Sequence, residues 1–249
     1  TLTAAQGAEW ATLNYVGYLL GALTAAWFSA QPLRGLRLAL YGVAATTLAV
    51  AWVGDGLPVW SGALLRTVAG VFSAWALVCT SSWCLGEMAR RHLSHRGAWI
   101  YVGVGKGIAL AGVVAWIGGH QSAQALWLEF GVVTLIGALL LHVLAQPGPA
   151  TAAASSTPAG QQPDAPPRTL GLIVCYGIFG FGYIMPATFL PTLARQQISD
   201  PMVFGLTWPL FGAAAAVSVA AAALWMSNWS RHRLWAVAQG NMAIGTLMP

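Results

Sequence analysis

Apolar residues in this chain come in long blocks, not in the strict alternation of a half-buried strand or the one-sided stripe of a surface helix. The blocks lie roughly at 10–28, 38–53, 58–86, 98–117, 126–145, 170–193, 201–227 and 234–249. A helix rises 1.5 Å per residue, so about 20 apolar residues cross the roughly 30 Å hydrocarbon core of a bilayer. Most blocks meet that length; 38–53 is short and bounded by Arg37 and Asp55. The pattern therefore predicts about eight membrane-spanning helices. It breaks once, at Gln146–Arg168, which is rich in Pro, Ala, Ser, Thr and Gln. Such a stretch buries too little to pack and reads as a flexible linker. It divides an N-terminal transmembrane half, 1–145, from a second half beginning at 170–249, with 146–169 between them.

Composition agrees with that pattern. The 249 residues are 57% hydrophobic and 7% charged, with a mean hydropathy of +0.67. Soluble domains carry about 25% charged residues, so this chain cannot cover a water-facing surface. The expected fold class is an all-α polytopic membrane protein. Of the thirteen Trp, Trp10, Trp27, Trp52, Trp60, Trp83, Trp99, Trp116, Trp127, Trp225 and Trp229 lie near block ends, where the indole anchors at the interface. Cys79, Cys84 and Cys175 sit in apolar surroundings and read as buried small hydrophobes. The sequence has no CxxC, HExxH, GxSxG or P-loop pattern, so neither a metal nor another cofactor is expected.

Charge fixes the sidedness. Arg34 and Arg37, then Arg90, Arg91 and Arg96, then Arg168, then Arg231 and Arg233 fall in alternate loops; the intervening loops hold only Arg195. Cytoplasmic loops carry the excess of Lys and Arg, so the first set is cytoplasmic. The net charge of +5 is then a topology signal and implies no nucleic-acid partner. Residues 1–9 fall outside the cytoplasm with no signal peptide before them, and the chain opens on Thr. A preceding helix is therefore expected, which would give six spans before the linker, the layout of a transporter with two six-helix halves. A weak internal repeat agrees: Thr12-Leu-Asn-Tyr-Val-Gly17 and Thr207-Trp-Pro-Leu-Phe-Gly212 share their Thr-to-Gly spacing.

The sixth block is unusual for a lipid anchor. Tyr176–Pro191 carries three Gly, two Pro and two Tyr, residues tolerated in lipid where neighbouring helices or a cavity satisfy the freed backbone. From Cys175 onward it resembles helix seven of the YbfB/YjiJ-type branch of the major facilitator superfamily. Asn14-Tyr-Val-Gly-Tyr18 is similar to that family's helix-two pattern, and Arg66-Thr-Val-Ala-Gly70 resembles the superfamily's Arg-x-x-x-Gly of helix four. The resemblance implies an incomplete major-facilitator bundle, helices two to nine of twelve. Two departures stand out. The loop Ser29–Arg37 lacks the Asp of the usual Gly-x-x-x-Asp-Arg signature, which leaves the gating salt bridge in doubt. Helix one, where the superfamily often keeps a coupling carboxylate, is not in the sequence.

Candidate pathway or coupling residues are the polar groups inside blocks: Asn14, Tyr18, Arg66, Lys106, Tyr176 and Tyr183. A charge at mid-bilayer costs about 2.5–3.5 kcal/mol on insertion scales. Arg66 thus reads either as an anion or proton-coupling site or as a structural Arg held by helix carbonyls. Lys106 either snorkels to the cytoplasmic edge or faces a cavity. Tyr176 and Tyr183, seven apart, share a helix face beside Gly180 and offer hydroxyls to a solute or to another helix. Gly17, Gly21, Gly103, Gly107, Gly180, Gly182 and Pro186 are candidates for hinge or close packing. Glu129 and His142 read as interfacial. The function expected is secondary active transport of a small solute by alternating access across a bacterial cytoplasmic (inner) membrane, with protons as candidate coupling ions. The alternatives are a membrane-embedded enzyme, a lipid-handling protein, and a non-transporting scaffold.

Overall fold

The structure is a computed structural model that describes residues 3–145, 171, 174–182, 184, 197–198 and 200–247. These residues are helical almost throughout, and no named strand occurs among them. The helices are α1 (Ala4–Thr24), α2 (Pro32–Val50), α3 (Val59–Arg90), α4 (Trp99–Ile117), α5 (Ala123–Leu144), the run 174–182 taken as α6, α7 (Pro201–Gly205), α8 (Thr207–Trp225) and α9 (Arg231–Leu247). Where eight spans were expected, five segments among the described residues are long and apolar enough to cross a membrane. They are Pro32–Val50, Val59–Arg90, Ser94–His120, Ala123–Leu144 and Met202–Trp225. Most of the sixth block lies outside the described residues. The linker, 146–169, lies wholly outside them.

Helix ends explain where the sequence boundaries shift. Thr3 and Gln6 form a capping box, so α1 begins well before the apolar block at 10. Pro32 occupies the first turn of α2, where its missing N–H costs nothing, so Arg34 and Arg37 lie in the helix and not in the loop. Beyond α3, His92 takes a left-handed backbone with φ 58°. The Leu93 N–H reaches Met88 O at 2.7 Å and the His92 N–H reaches Ala89 O at 3.0 Å, a Schellman stop with His where Gly is usual.

The chain forms two compact units. In the unit of α1, α2, α3 and α5, helix α3 packs against both α1 and α2, and α5 packs on α2. Helices α1 and α3 run parallel, because Trp10 meets Gly62, Gly17 meets Thr67, and Gly21 meets Val71 and Ala74. Helix α2 opposes them: Gly35 lies beside Cys79, and Gly42 beside Phe72. Helix α5 opposes α2, with Gly131 against Leu48 and His142 beside Tyr41. The Arg-bearing ends of α2 and α3 therefore gather at one end of this unit, as the loop charges require. Aromatic rings fill that end. Phe28, Phe72 and Trp27 surround Trp75 with centroids 5.0, 5.5 and 6.5 Å away, and Trp75 Nε1 donates to Thr24 Oγ1 at 2.9 Å.

In the unit holding α4 and α6 to α9, α4 lies antiparallel to α8. Gly105 faces Ala216, Gly212 faces Ala109, and Gly112 faces Pro209. Small residues at four-residue spacing on both helices let the backbones approach closely. This pairing joins a helix that precedes the linker to one that follows it, so the unit does not coincide with a sequence half.

Candidate functional site

Arg66 lies two turns into α3, on the same face as Gly70 four residues on. Gly70 lacks a Cβ, and the space is occupied by the Asn14 carbonyl and the Tyr18 amide of α1. That approach brings the Asn14 Nδ2 donor to the Arg66 carbonyl at 2.8 Å. This carbonyl is also the helical acceptor for the Gly70 N–H, so α1 holds α3 at the turn that carries the cation. The half-buried Arg66 guanidinium lies over Trp127 of α5, 5.5 Å from the ring centroid, and the Tyr15 phenol is an electrostatic neighbour. Among the described residues Arg66 makes no ion pair; those found join Glu87 to Arg90 and Arg91. Glu129 follows Trp127 by two residues, about 200° around α5, and so points away from the ring that meets Arg66.

The site residues expected from sequence are placed unequally. Asn14, Gly17, Gly21 and the Tyr18 backbone converge on α3 around Arg66, Thr67, Gly70 and Val71. A Cβ on Gly17 would land on the Thr67 carbonyl, and one on Gly21 on the Val71 carbonyl. Asn14 spends its amide between helices. Among the described residues nothing lies within 4 Å of a Cβ at Gly103 or Gly107. The seam runs along Gly105, Ala109 and Gly112, and Gly103 and Gly107 stand most of half a turn away from it. Lys106 is exposed on α4. Tyr176 is exposed on α6, its ring 6.1 Å from that of Phe179. Among the described residues nothing lies within 4 Å of a Cβ at Gly180, whereas Gly182 lies beside the end of Met242. Tyr183 and Pro186 lie outside the described residues.

Three residues take places that the sequence did not announce. Trp127, expected as an interfacial anchor, is the ring beneath Arg66. Trp10 is also no surface anchor; it is 8% exposed against Gly62. Arg37, expected in a loop, donates through one terminal nitrogen to His142 O at 3.2 Å and to Ala145 O at 2.6 Å, capping α5. Tyr41 Oη and His142 Nδ1 meet at 3.3 Å beside it. Each contact joins residues 52 to 108 positions apart, so no local motif marks it. Among the cysteines, Cys79 is buried, Cys84 half-buried and Cys175 exposed, so the expectation of three buried thiols fails at Cys175.

The family model described as "Uncharacterised MFS-type transporter YbfB" matches residues 1–249. The chain belongs to that family of major-facilitator-type transporters. Its helical architecture is consistent with an incomplete bundle of this type, and the protein is a multi-pass membrane transporter. No curated protein and no solved structure matches it.

Proposed function

We propose that this protein is a secondary active transporter. It moves a small solute across a bacterial cytoplasmic membrane by alternating access, and Arg66 lies on the solute or coupling path. The observation that carries this reading is a half-buried guanidinium in an apolar helix with no carboxylate partner among the described residues. A charge in such a place faces a cavity or a counter-charge. Its helix is held at that turn by Asn14, and its guanidinium carbon lies over the Trp127 ring. The glycine seam of α4 on α8 supports the alternating-access reading, because it joins helices from before and after the linker with little side-chain bulk between them. Tyr18, Lys106, Tyr176 and Tyr183 are the further polar candidates for the path. Solute binding that favours one of two states shifts the population between them.

The test is solute-driven flux in liposomes holding the purified full-length protein, under imposed pH and potential gradients. Flux above protein-free vesicles is expected, with Arg66→Ala lowering it at least about tenfold, a loss of roughly 1.4 kcal/mol. Normal flux in both Arg66→Lys and Arg66→Ala removes Arg66 from the path. Flux that ignores the pH gradient removes proton coupling. No flux of any solute under any gradient overturns the transporter reading.

A further inference from the structure

We infer that the solute is a monoanion held through a carboxylate, with Arg66 as the fork that binds it and Trp127 as its platform. The inference rests on the transporter reading above and names the solute class at the same site. A guanidinium is planar and presents its N–H donors along its edge, while its face stacks on aromatic rings. At Arg66 the guanidinium carbon lies 5.5 Å from the Trp127 centroid, within the range for cation–π attraction. That contact is with the ring's π-system and uses none of the N–H donors in hydrogen bonds to oxygen. Among the described residues no oxygen takes them: Arg66 has no salt bridge and no side-chain hydrogen bond, and Asn14 engages only its backbone carbonyl. A half-buried donor fork in an apolar helix favours a charged acceptor, and a carboxylate satisfies it with two parallel N–H···O bonds.

Charge selects among the anions. Among the described residues Arg66 is the cation at this turn, and it forms no ion pair. A carboxylate of charge −1 neutralises the site. A phosphate monoester carries about −1.5 to −2 near pH 7 and would leave uncompensated charge in an apolar span, which is strongly disfavoured. A neutral amide accepts through one oxygen only and brings no counter-charge.

The experiment is thermal stabilisation of the purified full-length protein at about pH 7.5 by acetate, lactate and benzoate, each set against its amide and against a phosphate monoester, phenyl phosphate. A ligand that binds the folded state raises the midpoint in a saturable way. The expected result is saturation by at least one carboxylate, and by neither the matching amide nor phenyl phosphate. Arg66→Lys, which keeps the charge and loses the fork, should weaken binding about tenfold, and Arg66→Gln should abolish it. Trp127→Ala, which leaves Arg66 in place, should weaken it about threefold to thirtyfold, and it serves as the reporter if Arg66→Gln does not fold. Equal binding of acid and amide, binding of phenyl phosphate alone, no saturation by any carboxylate, or unchanged affinity in the variants overturns the inference. Flux separates it from the reading beneath. If a neutral or cationic solute moves at the wild-type rate in Arg66→Gln, the fork fails and the transporter stands. If a carboxylate binds but nothing moves under any gradient, the transporter fails and the fork stands.

Discussion

Single residues here divide by what stands opposite them on another helix. Gly17 and Gly103 look alike in sequence, each a glycine in an apolar block. A Cβ at Gly17 would collide with the Thr67 carbonyl, whereas among the described residues one at Gly103 meets nothing within 4 Å. Gly17→Leu should therefore destabilise the protein by about 1–3 kcal/mol or more, the usual cost of overpacking, while Gly103→Ala stays within about 0.5 kcal/mol. Denaturation in detergent micelles measures both, and equal effects would contradict the packing. Asn14→Leu removes one interhelical hydrogen bond and should cost about 0.6–1.7 kcal/mol by the same measurement. Glu87 lies beyond the apolar 58–86 block. Hydrogen bonds from Arg90 and then Arg91 hold its carboxyl below the usual carboxylate range. A lowered folded-state value means that its contribution is fully present above the ordinary carboxylate pKa of about 4.3 and is lost as pH falls through the folded value. Stability should thus fall on acidification through that window in the wild type, and less so in Glu87→Gln. An identical acid limb in the two proteins would show that the pair contributes nothing.

At the scale of elements, the ends of α3 and α5 carry the testable geometry. His92 holds a left-handed backbone, which costs an L-residue with a Cβ roughly 1–2 kcal/mol and glycine almost nothing. His92→Gly should raise stability by up to about 1 kcal/mol, and a loss of stability would mean that the imidazole matters more than the backbone. The Arg37 cap on His142 and Ala145 is charge-assisted and sits at the negative end of the α5 dipole. Arg37→Met should cost about 1.5–3 kcal/mol and speed amide exchange in peptides ending near 145. These elements were unequally legible. Apolar block length marks α3, α4 and α5 to within a few residues. The early starts of α1 and α2 are written in Thr3–Gln6 and Pro32, signals of capping chemistry that an apolar-block reading passes over. The Arg37 cap has no such mark, because its partners lie over a hundred residues away.

For the whole molecule, loop charge makes the strongest prediction. In a background with Cys79, Cys84 and Cys175 replaced by alanine, a cysteine at Ser94 should resist a membrane-impermeant maleimide applied to intact cells. One at Asp55 or Gln121 should react. Labelling at Ser94 from outside would reverse the assigned orientation. Helix pairings within each unit agree with this sidedness. Arg34, Arg37, Arg90 and Arg91 collect at one end of the α1–α2–α3–α5 unit, and antiparallel α4 and α8 bring the basic loops that flank them to the same end of theirs.

Sequence alone determined that this is a helical membrane protein and that Arg66 is anomalous within an apolar helix. Each of these follows from the cost of moving charge and unpaired backbone into hydrocarbon, a cost set by each residue and its near neighbours. Only the tertiary structure decided that Gly105 packs on Ala216, that Asn14 fixes the backbone beneath Arg66, and that Trp127 supplies the ring over which the guanidinium lies. Those outcomes depend on the rotation and register of one helix against another. Such quantities are set by the fit of two surfaces, and a single helix's own sequence does not contain them.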